Sequence, residues 1–166
     1  MKEISPKEVV FRPYSCVFVI SWDEKNKKPR GMVAGCYMKC SSDPPLLAVA
    51  LWKKGYTHKL IRKSKEFVIA FPNKKLVEEV EFFGSTHGDK VDKFKETGIK
   101  TLKAKYVKSP LLKDATINLE CKLYKEINVG DNIMFIGKIL AAYINPNKKI
   151  LMVYKKFNGK RIFKEF

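Results

Sequence analysis

Residues 40–45 read Cys-Ser-Ser-Asp-Pro-Pro and run directly into the apolar stretch 46–52. The paired prolines hold the backbone extended and remove two amide donors before the strand begins. The side chains of Cys40, Ser41 and Ser42 and the nearby amides are then left at a strand edge, where they can meet an anion or a polar ring. The same residues also suit an ordinary Ser-rich turn closed by a rigid Pro-Pro stop. About a dozen residues later Thr57, His58 and Lys59 open a helical pattern. A helix start with free amides, a hydroxyl and an ammonium suits a phosphate. Together the two stretches predict a phosphate at Thr57 to Lys59 and a flat polar ring along the strand beginning at Met32. The small residues Ala34 and Gly35 in that strand let backbone or a ligand come close.

Other chemistries have less to stand on. His58 and His87 both sit beside a threonine in polar segments, without a GxSxG elbow or a recognisable Cys partner. A surface or hydrogen-bonding role suits both better than catalysis. Glu78 and Glu79 face different sides of a helix, and Asp89 with Asp92 suits a solvated helix start, so no paired-carboxylate machinery emerges. Cys36 and Cys40 would share a strand face, but no second close pair of Cys or His completes a tetrahedral zinc site. GxGxxG and GxxxxGK(S/T) are absent, which removes the Rossmann fingerprint and the P-loop.

The elements that carry these residues follow from periodicity. Residues 14–22, YSCVFVISW, predict a strand that runs into a polar turn, and residues 32–40 predict a second strand. The run 46–52 is apolar on both faces, as a central strand would be. Residues 55–64 predict a short helix with Thr57 as N-cap, and EFVIAF at 66–71 predicts a further strand. Asn73 is placed to cap a helix in which Leu76, Val77, Val80 and Phe83 recur at helical spacing, with Gly84 at its stop. A polar loop and a short helix with Val91 and Phe94 follow. Beyond Pro110 alternation takes over: TINLECKLYKEI, a turn at NVGDN, IMFIGKILAAYI, NPNKK and ILMVYKKF predict a hairpin extended into a meander. Many strands with few short helices predict a closed or partly closed antiparallel barrel. No repeat or linker divides the chain, so one domain over 1–166 is expected.

With 45% apolar residues in 166, the chain can fill a core without disulfides. The opening MKEISPKE is charged and lacks an apolar leader, and no run approaches the roughly 20 residues of a membrane span. A soluble, cytoplasmic protein with reduced cysteines and no membrane partner is therefore expected. The net charge of +17 invites a nucleic-acid reading through phosphate neutralisation. Lysine, however, is spread along the chain and often alternates with glutamate, as in KKLVEEVEFF, while arginine, the better fork for phosphate and bases, is scarce. That is the pattern of a solvated surface, which also attracts anionic cofactors. A basic β-barrel binding nucleic acid on aromatic platforms is the competing reading.

SSDPPLLAVAL after a small-residue strand, then YTHKLI, EFVIAF, GSTHGDKVDKF followed by TG, and LECKLYKEINVGDNIMFIGKI come in an order that resembles the flavin reductase-like family of FMN-binding split barrels, which includes flavoredoxins and short-chain flavin reductases. The resemblance covers about residues 14–146. It implies a mainly β fold, an antiparallel Greek-key split β-barrel with short helical inserts, and a homodimer with FMN near the subunit boundary. It implies that Met32, Val33 and Ala34 lie against the isoalloxazine, that Cys40, Ser41 and Ser42 border it, that Thr57, His58 and Lys59 hold the phosphate, and that Ser85 and Thr86 approach from a loop. The activity implied is reduction of flavin or another acceptor by NADH or NADPH, or electron transfer with a redox protein partner. No side chain need act as acid or base, and no metal is called for. The chain departs from the pattern twice. Ala70 stands where many relatives have Asn, and Asn132 stands where flavin reductases often have the His of GDH that is linked to nicotinamide binding.

Overall fold

The computed structural model describes residues 5, 6, 9, 11, 13–158 and 160–166, with the side chains of 156 and 157 left aside. Most of the charged opening, 1–8, therefore lies outside the described residues. Twelve strands form among them: β1 (Tyr14–Ser15), β2 (Val17–Asp23), β3 (Lys28–Ala34), β4 (Tyr37–Ser42), β5 (Pro45–Trp52), β6 (Glu66–Phe71), β7 (Thr101–Leu102), β8 (Leu111–Leu112), β9 (Ile117–Val129), β10 (Asn132–Ile144), β11 (Leu151–Phe157) and β12 (Lys160–Glu165). Three helices interrupt them: α1 (Thr57–Ser64), α2 (Val77–Ser85) and α3 (Lys93–Thr97). No helix among the described residues is long and apolar enough to cross a membrane.

Seven strands pair antiparallel in the order β3-β2-β6-β9-β10-β5-β4. The sheet rolls up so that its two edges, β3 and β4, are neighbours in sequence without pairing, which leaves a Greek-key barrel split along one seam. Strands β2 and β6 are buried on both faces because their residues serve two cores in alternation. Val17, Val19, Phe67 and Ile69 fill the barrel with Val49, Leu51, Leu119 and Phe135. Phe18, Ile20, Val68 and Ala70 face outward, onto a second core closed by Val80 and Phe83 of α2, Leu111 and Leu112 of β8, and Leu151 of β11. Gly137 admits the barrel core: a β-carbon there would stand 2.5 Å from Phe67 Cζ. Burial pushes the Cys16 thiol up to about 11 and Cys121 up to about 12, so both thiols behave as apolar core groups.

Three expectations are corrected. Residues 14–22 are two strands, since Tyr14 and Ser15 pair with Val153 and Met152 outside the barrel. Residues 32–40 are likewise two strands, because the chain passes from the β2 ladder to the β5 ladder across Gly35 and Cys36. The Cys36 carbonyl already accepts from the Ala50 amide at 2.8 Å, and Gly35 lies against the Tyr14 ring. A β-bulge at Cys40 then shifts the register of β4, so Cys36 and Cys40 do not follow simple alternation. Finally, β11 does not extend the β9–β10 hairpin. The free edge of β10 is taken by β5, with Asn132 to Lys138 opposite Trp52 to Leu46, so β11 joins β1 and β12 in a separate sheet.

Candidate functional site

A cleft of about 210 Å³ opens between the free edge of β3 and the segment from α2 to α3. Gly31, Met32 and Val33 line one wall, Trp52 and Gly55 to Thr57 form the end, and residues 83–88 with Lys93 form the other wall. Chain geometry puts them there. As an edge strand, β3 pairs only with β2, so one row of its backbone amides and carbonyls faces the cleft. Gly31 lets Phe83 pack directly on β3, since a β-carbon at residue 31 would lie 3.2 Å from the Phe83 ring. Phe83 is held edge-on by Phe18 at 5.2 Å and by Phe94 at 5.3 Å between ring centres.

Lys93 is the buried charge of the site, with 4% of its surface exposed. Its ammonium donates to the Phe83 carbonyl oxygen at 2.7 Å and has no carboxylate partner among the described residues. Burial lowers its pKa to about 8, against a smaller upward pull from Asp89. The hydroxyls of Ser85 and Thr86 donate back to the Glu81 and Phe82 carbonyls at 2.8 and 2.7 Å. Their remaining lone pairs can only accept from a ligand. The arrangement offers a backbone edge for a flat polar ring, aromatic and apolar walls, and a helix start plus one ammonium for negative charge.

The predicted residues fall into three groups. Met32, Val33, Thr57, Ser85 and Thr86 come together in the cleft. Ala34, His58 and Lys59 lie next to it without lining it. Ala34 packs into the barrel core. Successive helix residues diverge by about 100°, so Thr57 faces the cleft while Lys59 faces a groove on the other side of Tyr56. His58 is buried with neither ring nitrogen hydrogen-bonded among the described residues. Burial holds its pKa below the usual histidine value. Cys40, Ser41 and Ser42 lie toward the Pro45 end of the β4–β5 pair, whereas Trp52 at the other end of β5 lines the cleft. Within one chain they are not part of it. Thr57 is also not the N-cap: Tyr56 holds that position with no side-chain bond.

A sequence model of the flavin reductase like domain matches residues 12–160. The chain belongs to the flavin reductase-like domain family. An uncharacterized protein of Archaeoglobus fulgidus is 38% identical over 114 residues, which are 69% of this chain and 64% of that protein. The matched span covers 50% to 63% of three further curated relatives, so the chain spans half to two thirds of the length of these four. The flavoredoxin of Desulfovibrio vulgaris (Miyazaki F) superposes with a TM-score of 0.85 at 22% identity, over 100% of this chain and 93% of that one. An FMN-binding protein from Thermus thermophilus, with 1-cyclohex-2-enone bound, gives 0.83 at 22% identity over 99% and 93%. These likenesses bear out the antiparallel split barrel read from the sequence.

Within this flavin reductase-like domain, the two departures take on a location. Ala70 is fully buried in the second core, opposite Phe18 and Asn118. It does not line the cleft. Asn132 sits across from Trp52 at the start of β10, beside the cleft's end wall, and donates to the Asp131 carboxylate at 2.6 Å. Sequence reading missed Tyr56, Phe83, His87 and Lys93 as lining residues. The signal for Lys93 was faint: a lysine directly after a helix-capping Asp92, on the same short segment as Phe94.

Proposed function

We propose that the chain forms one FMN-binding domain, acting as an NAD(P)H-dependent reductase of flavin or another acceptor, or as a flavoredoxin-like electron carrier for a redox protein. The observation that carries this reading is the cleft between the open edge of β3, the Thr57 helix start and the buried ammonium of Lys93. FMN, when bound, would supply the hydride and electron chemistry. The chain's residues would do the rest. Backbone groups of Gly31 to Val33 would hold the ring plane, Met32, Phe83 and Trp52 would exclude water, and the first amides and hydroxyl of α1 would take the phosphate. Ser85 and Thr86 would accept from ring donors. Lys93 would stabilise negative charge that develops on reduction, in a site where the low dielectric strengthens it.

The same reading includes a homodimer. The outer face of β4, β5 and β10 presents Cys36, Met38, Ala48, Ala50 and Met134 around an apolar depression. Met38 is 59% exposed, and Trp52, 44% exposed, stands at the end of the same β5 face while also lining the cleft. A second copy seated there would bring its own β4 turn toward the partner's cleft, which gives Cys40, Ser41 and Ser42 a route to the ring.

The first test is an absorption spectrum of purified protein, repeated after FMN addition and desalting. Paired near-ultraviolet and blue flavin bands, expected on the order of one FMN per chain, support the reading, and anaerobic bleaching by NADH or NADPH then identifies the donor. Protein absorbance alone after FMN addition overturns it and turns attention to salt-dependent nucleic-acid binding.

A further inference from the structure

Asp23 and Arg30 form an ion pair near the end of the β2–β3 hairpin, with Arg30 Nε 3.9 Å from Asp23 Oδ2 and both side chains nearly buried. Such a pair is a weak source of stability, because desolvating two charges offsets their attraction. Arg30 Nε is buried without a hydrogen bond among the described residues, which adds to that cost. What the pair has is reach. Asp23 Oδ2 accepts from the Tyr56 hydroxyl at 3.0 Å, and Tyr56 is both the N-cap of α1 and part of the cleft's end wall. Arg30 Nη1 donates to the Val91 carbonyl oxygen at 3.0 Å, two residues before Lys93. Lys28, on the same face of β3, donates to Asp92 Oδ2 at 2.8 Å, while Asp92 Oδ1 caps α3 by accepting from the Lys95 amide at 3.3 Å. One hairpin end therefore holds the phosphate end of the cleft on one side and the segment carrying the buried ammonium on the other.

We propose that Asp23 and Arg30 are positioning residues of the cleft, a buried link that fixes the Tyr56 wall and the Lys93 segment relative to each other. The inference rests on the flavin reading of the cleft and extends it: a cofactor held by its phosphate at α1 and by its ring at Lys93 needs those two points at a set separation. Neither residue lines the cleft, and each acts through another group, Asp23 through Tyr56 and Arg30 through the Val91 carbonyl. Asp23 also accepts from the Lys25 and Asn26 amides and the Asn26 side chain, so its carboxylate stays hydrogen-bonded when Arg30 is replaced.

The test follows the Lys93 amine by NMR of the flavin-free full chain with labelled lysine, and FMN affinity by fluorescence titration at neutral pH. Wild type is compared with Arg30→Lys, Arg30→Gln and Tyr56→Phe. Arg30→Lys keeps a positive charge beside Asp23 but gives up the planar fork that reaches two partners; Arg30→Gln removes the charge as well. The expected result is a Lys93 titration that moves up by about one pH unit in both Arg30 variants, as the ammonium regains water. It stays in place in Tyr56→Phe, which releases only the other wall. FMN weakens about fivefold in all three, the scale of one lost polar contact. A Lys93 shift confined to Arg30→Gln would be relief of charge repulsion and overturns the link. An unmoved Lys93 titration in both Arg30 variants overturns it too, since the pair would then be structural alone. So does FMN affinity within twofold of wild type in Arg30→Lys or Tyr56→Phe. The expected Lys93 shifts in a protein whose wild type takes up no FMN remove the cleft reading alone, so the two failures are distinguishable.

Discussion

The Lys93 ammonium donates to the Phe83 carbonyl oxygen at 2.7 Å and stands 5.5 Å from the centre of that residue's ring. One residue thus fixes both the backbone and the aromatic face of the α2 wall, and its unused donors point charge at the cleft. Because its pKa is lowered to about 8, the group is an ammonium below that pH and a neutral amine above it. Anion binding should weaken as pH rises, with a bound phosphate or reduced ring delaying the loss to higher pH. Lys93→Met keeps the length and the apolar stem. It should weaken FMN about tenfold at pH 7, the size of one charge-assisted hydrogen bond, and flatten the pH dependence. Flavin fluorescence titrations from pH 6.5 to 9.5 check both; an unchanged slope in the variant would remove Lys93 from the site.

The split of the Thr57–His58–Lys59 triplet sets up a second comparison. Thr57 faces the cleft, whereas Lys59 faces the groove beyond Tyr56. Thr57→Ala should weaken FMN about fivefold to tenfold, the cost of one polar contact. Lys59→Ala should change it by less than threefold, the scale of an exposed ion pair. Equal losses in the two single variants would mean that FMN's phosphate sits nearer Lys59 than the cleft geometry implies. Circular dichroism should show both variants folded, since Lys59 is exposed and Thr57→Ala removes only a hydroxyl and a methyl from a buried position.

Glu120 is a carboxylate with no exposed surface, on β9 beneath the loop at 105–107. Burial raises its pKa, but three amide donors, Lys105, Tyr106 and Val107 at 2.9, 2.6 and 3.1 Å, and the Tyr143 hydroxyl at 2.7 Å outweigh it, so the net shift is downward. A folded pKa below the unfolded value means the stabilisation is complete above the unfolded pKa of about 4.3 and is lost as pH falls through the folded one. Glu120→Gln should cost about 2–3 kcal/mol at pH 7. Denaturant melts of both proteins should converge as pH is lowered through the acid range. A difference that stays constant with pH would show that the carboxylate's charge is not what holds the loop.

Legibility in the sequence followed the range of the interactions. The strand at 66–71 and the β9–β10 hairpin were readable because alternation and a tight turn are local signals. The strand breaks at Cys16 and at Gly35–Cys36 were not, because each marks a change of partner strand, and partners are set by contacts far away in the chain. A helix start and a strand with small neighbours were enough to single out Thr57, Met32 and Val33, which line the cleft. Lys93 could not be singled out this way, since its place in the cleft comes from burial against Phe83, a fact of packing rather than of spacing. The same limit separated Lys59 from the cleft: adjacency in sequence says nothing of which side of Tyr56 a helix residue faces.

The outer face of β4, β5 and β10 gives the last prediction. Ala48 and Ala50 on β5 stand opposite Ile136 and Met134 on β10, and Met38 on β4 stands opposite Ala48, so one smooth apolar surface spans three strands. Such a surface is costly to leave in water at about 25 cal/mol per Å², and a carboxylate placed at its centre would be buried unpaired in any two-fold contact. Ala50→Glu should therefore dissociate the proposed dimer while leaving the barrel intact, because Ala50 is only half-buried in the single chain and stands on the outer face of β5, opposite Met134. Light scattering on a sizing column reads the mass directly, with FMN content measured on the same fractions. Dissociation with loss of FMN would make the partner's Cys40 to Ser42 turn part of the site. Dissociation with FMN retained would confine the cofactor to one chain's cleft. A wild-type protein that runs as a monomer would overturn the dimer itself.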